Sequence, residues 1–161
     1  MSFADWLRVF RSVHAEARRG ALSPEALREY REARNELARA LLAAQHVALE
    51  PGVQPRRTLR AARALQADLA FFDGTLRIAT RSISSGGFAA MLAKAPKLGE
   101  EVRVTLRLPG EAPLQCDARV VETKAQAGSA LVSFQWAGIQ DEDAERLESV
   151  VFDAVLEQLQ G

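Results

Sequence analysis

The sequence predicts an α+β protein: an N-terminal helical hairpin, then an antiparallel barrel or sandwich of about six strands, then a C-terminal helix. Three observations predict it. Apolar residues recur with a helical period up to about residue 49 and again after Asp141. Between residues 64 and 136 they recur instead at every second position. The alternating segments are separated by short turns, with no helical stretch to carry a parallel crossover.

The first helix begins at Ser2, an N-cap with Asp5 three residues on as a capping-box partner. Trp6, Phe10, Val13 and Ala17 share one helical face, and Gly20 ends the helix. Leu22-Ser23-Pro24-Glu25 restarts it, with Ser23 as cap and Pro24 at the first helical position. Leu27, Tyr30, Leu37, Leu41 and Ala44 form the apolar stripe of the second helix, interrupted by Arg34. So short a connection implies an antiparallel hairpin, residues 1–49, which buries too little surface to stand alone. Residues 50–63 read as a linker: Glu50-Pro51-Gly52-Val53-Gln54-Pro55 ends the helix, and Arg56-Arg57-Thr58-Leu59-Arg60 follows at once.

Residues 64–161 hold the strands and the last helix. Leu65, Ala67, Leu69 and Phe71 alternate with polar or small residues, and Asp73-Gly74 is a turn. Leu76 to Ser82 resumes extended structure, and Phe88 to Leu92 is a short segment. Val102, Val104, Leu106 and Leu108 make the clearest strand, turned by Pro109-Gly110-Glu111. Leu114, Cys116, Ala118 and Val120 make the next, and Ala130, Val132, Phe134 and Trp136 the last. Asp141 caps the final helix, whose apolar arc is widened by Phe152 and Leu159 beyond the stripe of Leu147, Val151, Val155 and Leu156.

Composition excludes several functions. Lys plus Arg is 21 and Asp plus Glu is 21, so no global field attracts DNA or an anionic membrane. Cys116 is the single cysteine, which excludes an internal disulfide and a cysteine-based metal cluster and fits a reducing, cytoplasmic compartment. The N-terminus carries Asp5, Arg8 and Arg11 in its apolar stretch and does not read as a signal peptide; no apolar run approaches a membrane span. No triad, acid/base carboxylate pair, P-loop or metal-ligand spacing is present, so the sequence does not read as an enzyme. His14 and His46 lie in helices without partners of ligating type, and Cys116 and Trp136 read as core.

Two segments stand out. Arg56, Arg57 and Arg60 supply fixed positive charge and planar donors. Ser82-Ile83-Ser84-Ser85-Gly86-Gly87 supplies hydroxyls and backbone free of side chains. Together they suit an anion with a flat face, such as a phosphodiester carrying guanine bases. The order of these segments around one strand resembles the PilZ domain over roughly residues 54–160. The family signature is Arg-x-x-x-Arg before a barrel and Asp/Asn-x-Ser-x-x-Gly at a strand end. Arg56 and Arg60 match the first, and Ser84 and Gly87 match the second. Ser82 departs from it, standing where the family has Asp or Asn.

The resemblance implies a six-stranded antiparallel barrel binding cyclic di-GMP, with no other cofactor. It implies a ligand site of Arg56, Arg57, Arg60, Ser82, Ser84, Gly86 and Gly87, the arginines clamping phosphates and guanines and Gly87 admitting the ligand to the backbone. A serine at 82 accepts more weakly than a carboxylate, a loss of about 1–3 kcal/mol. The expected role is a cytoplasmic receptor or adaptor that turns ligand binding into a change of domain arrangement or of partner binding. A protein partner, or a second copy, would meet the hairpin or the C-terminal helix. The rival expectation, favoured by Ser82, is a degenerate PilZ-like interaction scaffold that does not bind the nucleotide.

Overall fold

The structure, a computed structural model, describes residues 1–47 and 58–159. They gather into two units, residues 1–59 and 60–161.

The first unit holds helices α1 (Phe3–Arg18) and α2 (Pro24–Val47). The Asp5 amide donates to Ser2 Oγ at 3.1 Å, while the Asp5 carboxylate accepts from the Ser2 hydroxyl rather than from its amide. Gly20, at φ 70°, closes α1 in a Schellman motif: its N–H reaches Ala17 O and that of Ala21 reaches Glu16 O. Ser23 Oγ accepts from Ala26 N, capping α2. The buried residues of α1 are Leu7, Phe10 and His14, whereas the expected Trp6, Val13 and Ala17 are only half-buried. Aromatic stacking explains the rotation. Trp6 stacks on Phe10 at 5.2 Å and Phe10 on Tyr30 of α2 at 5.6 Å. His14 Nδ1 then bonds Tyr30 Oη at 2.6 Å. Arg34, the break in the α2 stripe, is buried with its guanidinium 5.4 Å from the Tyr30 ring centre. The ring face attracts the cation.

The second unit is a closed barrel. Its strands are β1 (Ala61–Ala62), β2 (Gln66–Phe71), β3 (Gly74–Ser84), β4 (Gly87–Leu92), β5 (Glu101–Leu106), β6 (Leu114–Gln126) and β7 (Ser129–Ala137). The order is β1-β3-β2-β5-β6-β7-β4, and β4 returns to β3, so six strands close and the two-residue β1 lies outside the ring. Every pairing is antiparallel. Inward positions follow the period of two: Val102, Val104 and Leu106 on β5, Leu114, Cys116, Ala118 and Val120 on β6, Ala130 to Trp136 on β7. Phe88 and Phe134 stack at 4.6 Å in the core, where truncating either ring to alanine costs roughly 3–5 kcal/mol.

Three expectations shift. The first hairpin turns on Phe72 and Asp73, with Gly74 already paired to Phe71. β6 continues past Val120 to Gln126, because a bulge between Val120 and Glu122 breaks the alternation without ending the strand. Helix α3 (Asp141–Gln158) is capped by Gln140, not Asp141, with no side-chain bond. The three acidic residues Asp141, Glu142 and Asp143 instead occupy the first turn, where the helix dipole favours them. The wide arc of α3 is buried from Leu147 to Leu156, and the helix packs on β1 and β3.

Candidate functional site

The second motif straddles the turn between β3 and β4. Ser84 pairs with Gly87, leaving Ser85-Gly86 as the two-residue connection. Ser84 is buried, and its hydroxyl donates to Gly87 O and accepts from Gly86 N and Gly87 N at 3.1 Å each. With its one donor and both acceptor positions engaged, this hydroxyl builds the turn. Gly86 O in turn accepts from Trp136 N at 3.0 Å, fastening the turn to β7. Gly87 answers a packing constraint: a Cβ there would lie 1.9 Å from Phe134 O. Its missing side chain serves the approach of β7. Ser82 is half-buried and pairs with Ala89 on β4.

The first motif is reached through β1. Ala61 pairs with Ile83 and Ala62 with Ser82, so Arg60, one residue ahead of this ladder, is brought to the end of β3 that carries Ser82 and Ser84. Arg60 is half-buried. Arg56 and Arg57 lie outside the described residues. The segment after β1 is fixed from several sides. Thr80 Oγ1 donates to Arg63 O at 2.7 Å and accepts from Leu65 N at 2.9 Å. Arg63 bonds Glu157 of α3 at 2.7 Å. The short β1 has no signal in the sequence; two alanines carry no period to read.

The other candidate features lie elsewhere or do other work. A half-open cavity of about 670 Å³, lined among others by Phe71, Leu76, Lys94 and Lys97, opens by the start of β3, and no motif residue lines it. Cys116 is buried and its thiol is pushed up from its ordinary value, first by desolvation and then by the nearby Asp117. It donates to Asp117 O at 3.3 Å and is a core group. Trp136 is inward-facing and tilted on Phe88 at 5.1 Å, and its buried Nε1 has no hydrogen-bond partner among the described residues. No cluster of three or more His, Cys, Asp or Glu able to hold a metal occurs among the described residues. None of the described helices is long and apolar enough to cross a membrane.

This barrel, with Arg60 led by a short strand to a Ser-x-x-Gly turn, defines the class. The family model of the PilZ domain matches residues 54–153, and the chain belongs to the PilZ domain family. Among solved structures it resembles the Bacillus subtilis inhibitor of motility MotI/DgrA, with 22% identity and a TM-score of 0.60 over 67% of this chain and 55% of that one. It resembles the PilZ domain of Escherichia coli YcgR with c-di-GMP, at 18% identity and TM-score 0.57 over 65% of this chain and 95% of that one. It also resembles the K. pneumonia MrkH–c-di-GMP complex, at 23% identity and TM-score 0.57 over 66% and 55%. At such identities the likeness is one of fold. The chain spans about half the length of the MotI/DgrA and MrkH chains it matches. No curated protein matches the sequence.

Proposed function

We propose that this protein is a cytoplasmic receptor for cyclic di-GMP rather than an enzyme. The barrel of residues 64–161 holds the ligand against the arginine segment of the 50–63 linker, and the hairpin of residues 1–49 is the output or assembly element. One observation carries the reading: the β1–β3 ladder draws Arg60 to the strand end that bears Ser82. It is supported by family membership and by the c-di-GMP complexes of YcgR and MrkH, whose barrels this fold resembles.

In this reading Arg56, Arg57 and Arg60 hold phosphate oxygens and guanine edges through charge-assisted forks. Ser82 offers a hydroxyl to a base, and Ser84, Gly86 and Gly87 keep the turn in shape beneath it. Ligand bound to the arginines orders the linker and biases the hairpin toward one state, exposing or covering a surface for a partner protein or a second copy. The engagement of Ser84 within its own turn, together with Ser82, favours the second reading, an interaction scaffold without a nucleotide. Calorimetry of the full chain with cyclic di-GMP separates the two. Saturable heat that Arg60→Ala abolishes supports the receptor. A folded wild-type protein that gives no heat leaves the scaffold.

A further inference from the structure

Along a regular strand, inward and outward side chains alternate. On β3, Thr80 and Ile83 are both buried, yet two residues separate them, and both turn outward: Arg81 is exposed and Ser82 half-buried. The cause is a bulge. Thr80 pairs with Ala90 and Ser82 with Ala89, so Arg81 is an extra residue with no counterpart on β4. A bulge of this kind re-aims a side chain at the expense of a regular ladder. Here it sets a guanidinium on the outer face directly beside Ser82, the position that lacks the family's acidic or amide group.

Arg81, like Arg119 on β6, differs from the paired arginines of the barrel. Arg63, Arg77 and Arg103 are held by Glu157, Asp68 and Asp117. The Arg81 guanidinium has no hydrogen bond or ion pair among the described residues. It therefore needs no existing contact broken before it meets a ligand. Ser82, its neighbour, pairs with Ala62, two residues beyond Arg60, so the two arginines flank the same position.

We propose that Arg81 is a base-reading residue of the nucleotide site, an inference that rests on the cyclic di-GMP reading above. A carboxylate at position 82 would accept from the N–H edge of guanine. A guanidinium beside it presents donors, and its fork matches the O6 and N7 acceptors of the same base. Arg81 thus adds a contact at the acceptor edge of guanine, beside the position where the family pattern supplies a group for the donor edge.

The test uses the full chain and two probes, cyclic di-GMP and its 7-deazaguanine analogue, in which each N7 is replaced by C–H. The wild-type protein should bind the analogue about tenfold more weakly, the loss of one good base contact. Arg81→Ala and Arg81→Gln should bind cyclic di-GMP about tenfold more weakly and show a smaller analogue penalty than the wild type. Arg77→Ala, on the same strand, should behave as wild type. Arg81 variants that keep the full analogue penalty overturn the proposal, even if both probes weaken equally, since that marks a phosphate contact. A wild-type protein indifferent to the analogue overturns it as well. If wild type and Arg77→Ala bind, Arg60→Ala does not, and Arg81→Ala binds undiminished, the receptor reading stands and the role of Arg81 falls. If the folded wild-type protein binds neither probe, both fall.

Discussion

Gly87 faces the carbonyl of Phe134 so closely that a Cβ on it would lie 1.9 Å from the oxygen. The obstacle is backbone on a central barrel strand, which cannot swing aside as a flexible side chain can. We predict that Gly87→Ala destabilises the barrel by at least about 3 kcal/mol, the upper range for overpacking, and that Gly87→Val prevents folding. Urea unfolding followed by circular dichroism measures this. A Gly87→Ala midpoint equal to wild type would show that β4 and β7 can part without penalty. Loss of ligand binding in these variants should track loss of fold.

Thr80 is the next point where fold and site meet. Its hydroxyl bridges Arg63 O and Leu65 N from within the barrel wall. Thr80→Val keeps the shape and leaves both backbone groups without that partner, which costs about 1–3 kcal/mol. The damage should concentrate at residues 61–65, so β1 should lose amide-exchange protection before β5 or β6 does. Uniform loss of protection over all strands would mean that Thr80 serves the whole barrel rather than the lead-in to β1.

How far the sequence reveals this site depends on the residue. Ser84 and Gly87 are legible as a pattern, but the reason for each is not. The oxygen that demands glycine at 87 belongs to Phe134, 47 positions away, and only strand register brings the two together. β5 is legible because every inward residue alternates strictly from Val102 to Leu106. β6 is legible only to Val120, since the bulge sends Val121 outward, where it reads as a break. The Arg81 bulge is hidden for the same reason: alternation presumes a residue opposite each residue. In α1, hydrophobicity points to Trp6 and Val13, while the partner that decides is Tyr30, whose hydroxyl makes His14 a favourable buried residue.

The arginine forks should dominate affinity. Arg60→Ala and Arg56→Ala should each cost at least about 2 kcal/mol of cyclic di-GMP binding, the scale of a charge-assisted contact. Arg60→Lys should not restore it, because a lysine lacks the planar fork. Ser82→Asp or Ser82→Asn should tighten binding by supplying the stronger acceptor. Titrations of these variants decide the matter. Undiminished affinity in both alanine variants removes the site, and weaker binding by a folded Ser82→Asp protein removes the role given to position 82.

Cys116 gives a pH prediction. Burial raises its thiol pKa, and Asp117 adds to the shift. The folded state therefore holds this proton more tightly than the unfolded state does. That contribution is complete below the unfolded thiol pKa of about 8.5 and is lost as pH rises through and beyond it. The stability difference between wild type and Cys116→Ala should be constant from pH 6 to 7.5 and shift against wild type by pH 9.5. A difference that stays flat to pH 9.5 would mean that the thiolate is accommodated in place.

The output mechanism makes the last prediction. The two arginine positions 56 and 60 lie between the α2 helix and the first barrel strand in sequence. A ligand bound through them and through the end of β3 ties that stretch of chain to the barrel. Such ordering at a junction can bias what precedes it, but only by the ligand's differential affinity for the two states. A tenfold bias needs about 1.4 kcal/mol of that difference, which is within reach of one fork made in one state alone. Adding cyclic di-GMP should therefore raise amide-exchange protection across residues 51–63 and alter it within 23–49. Arg60→Ala should remove both effects together, since they have one cause. Protection that rises only in β3 and β4 would make the site a receptor without transmission to the hairpin, and its output would have to leave through the barrel surface or α3.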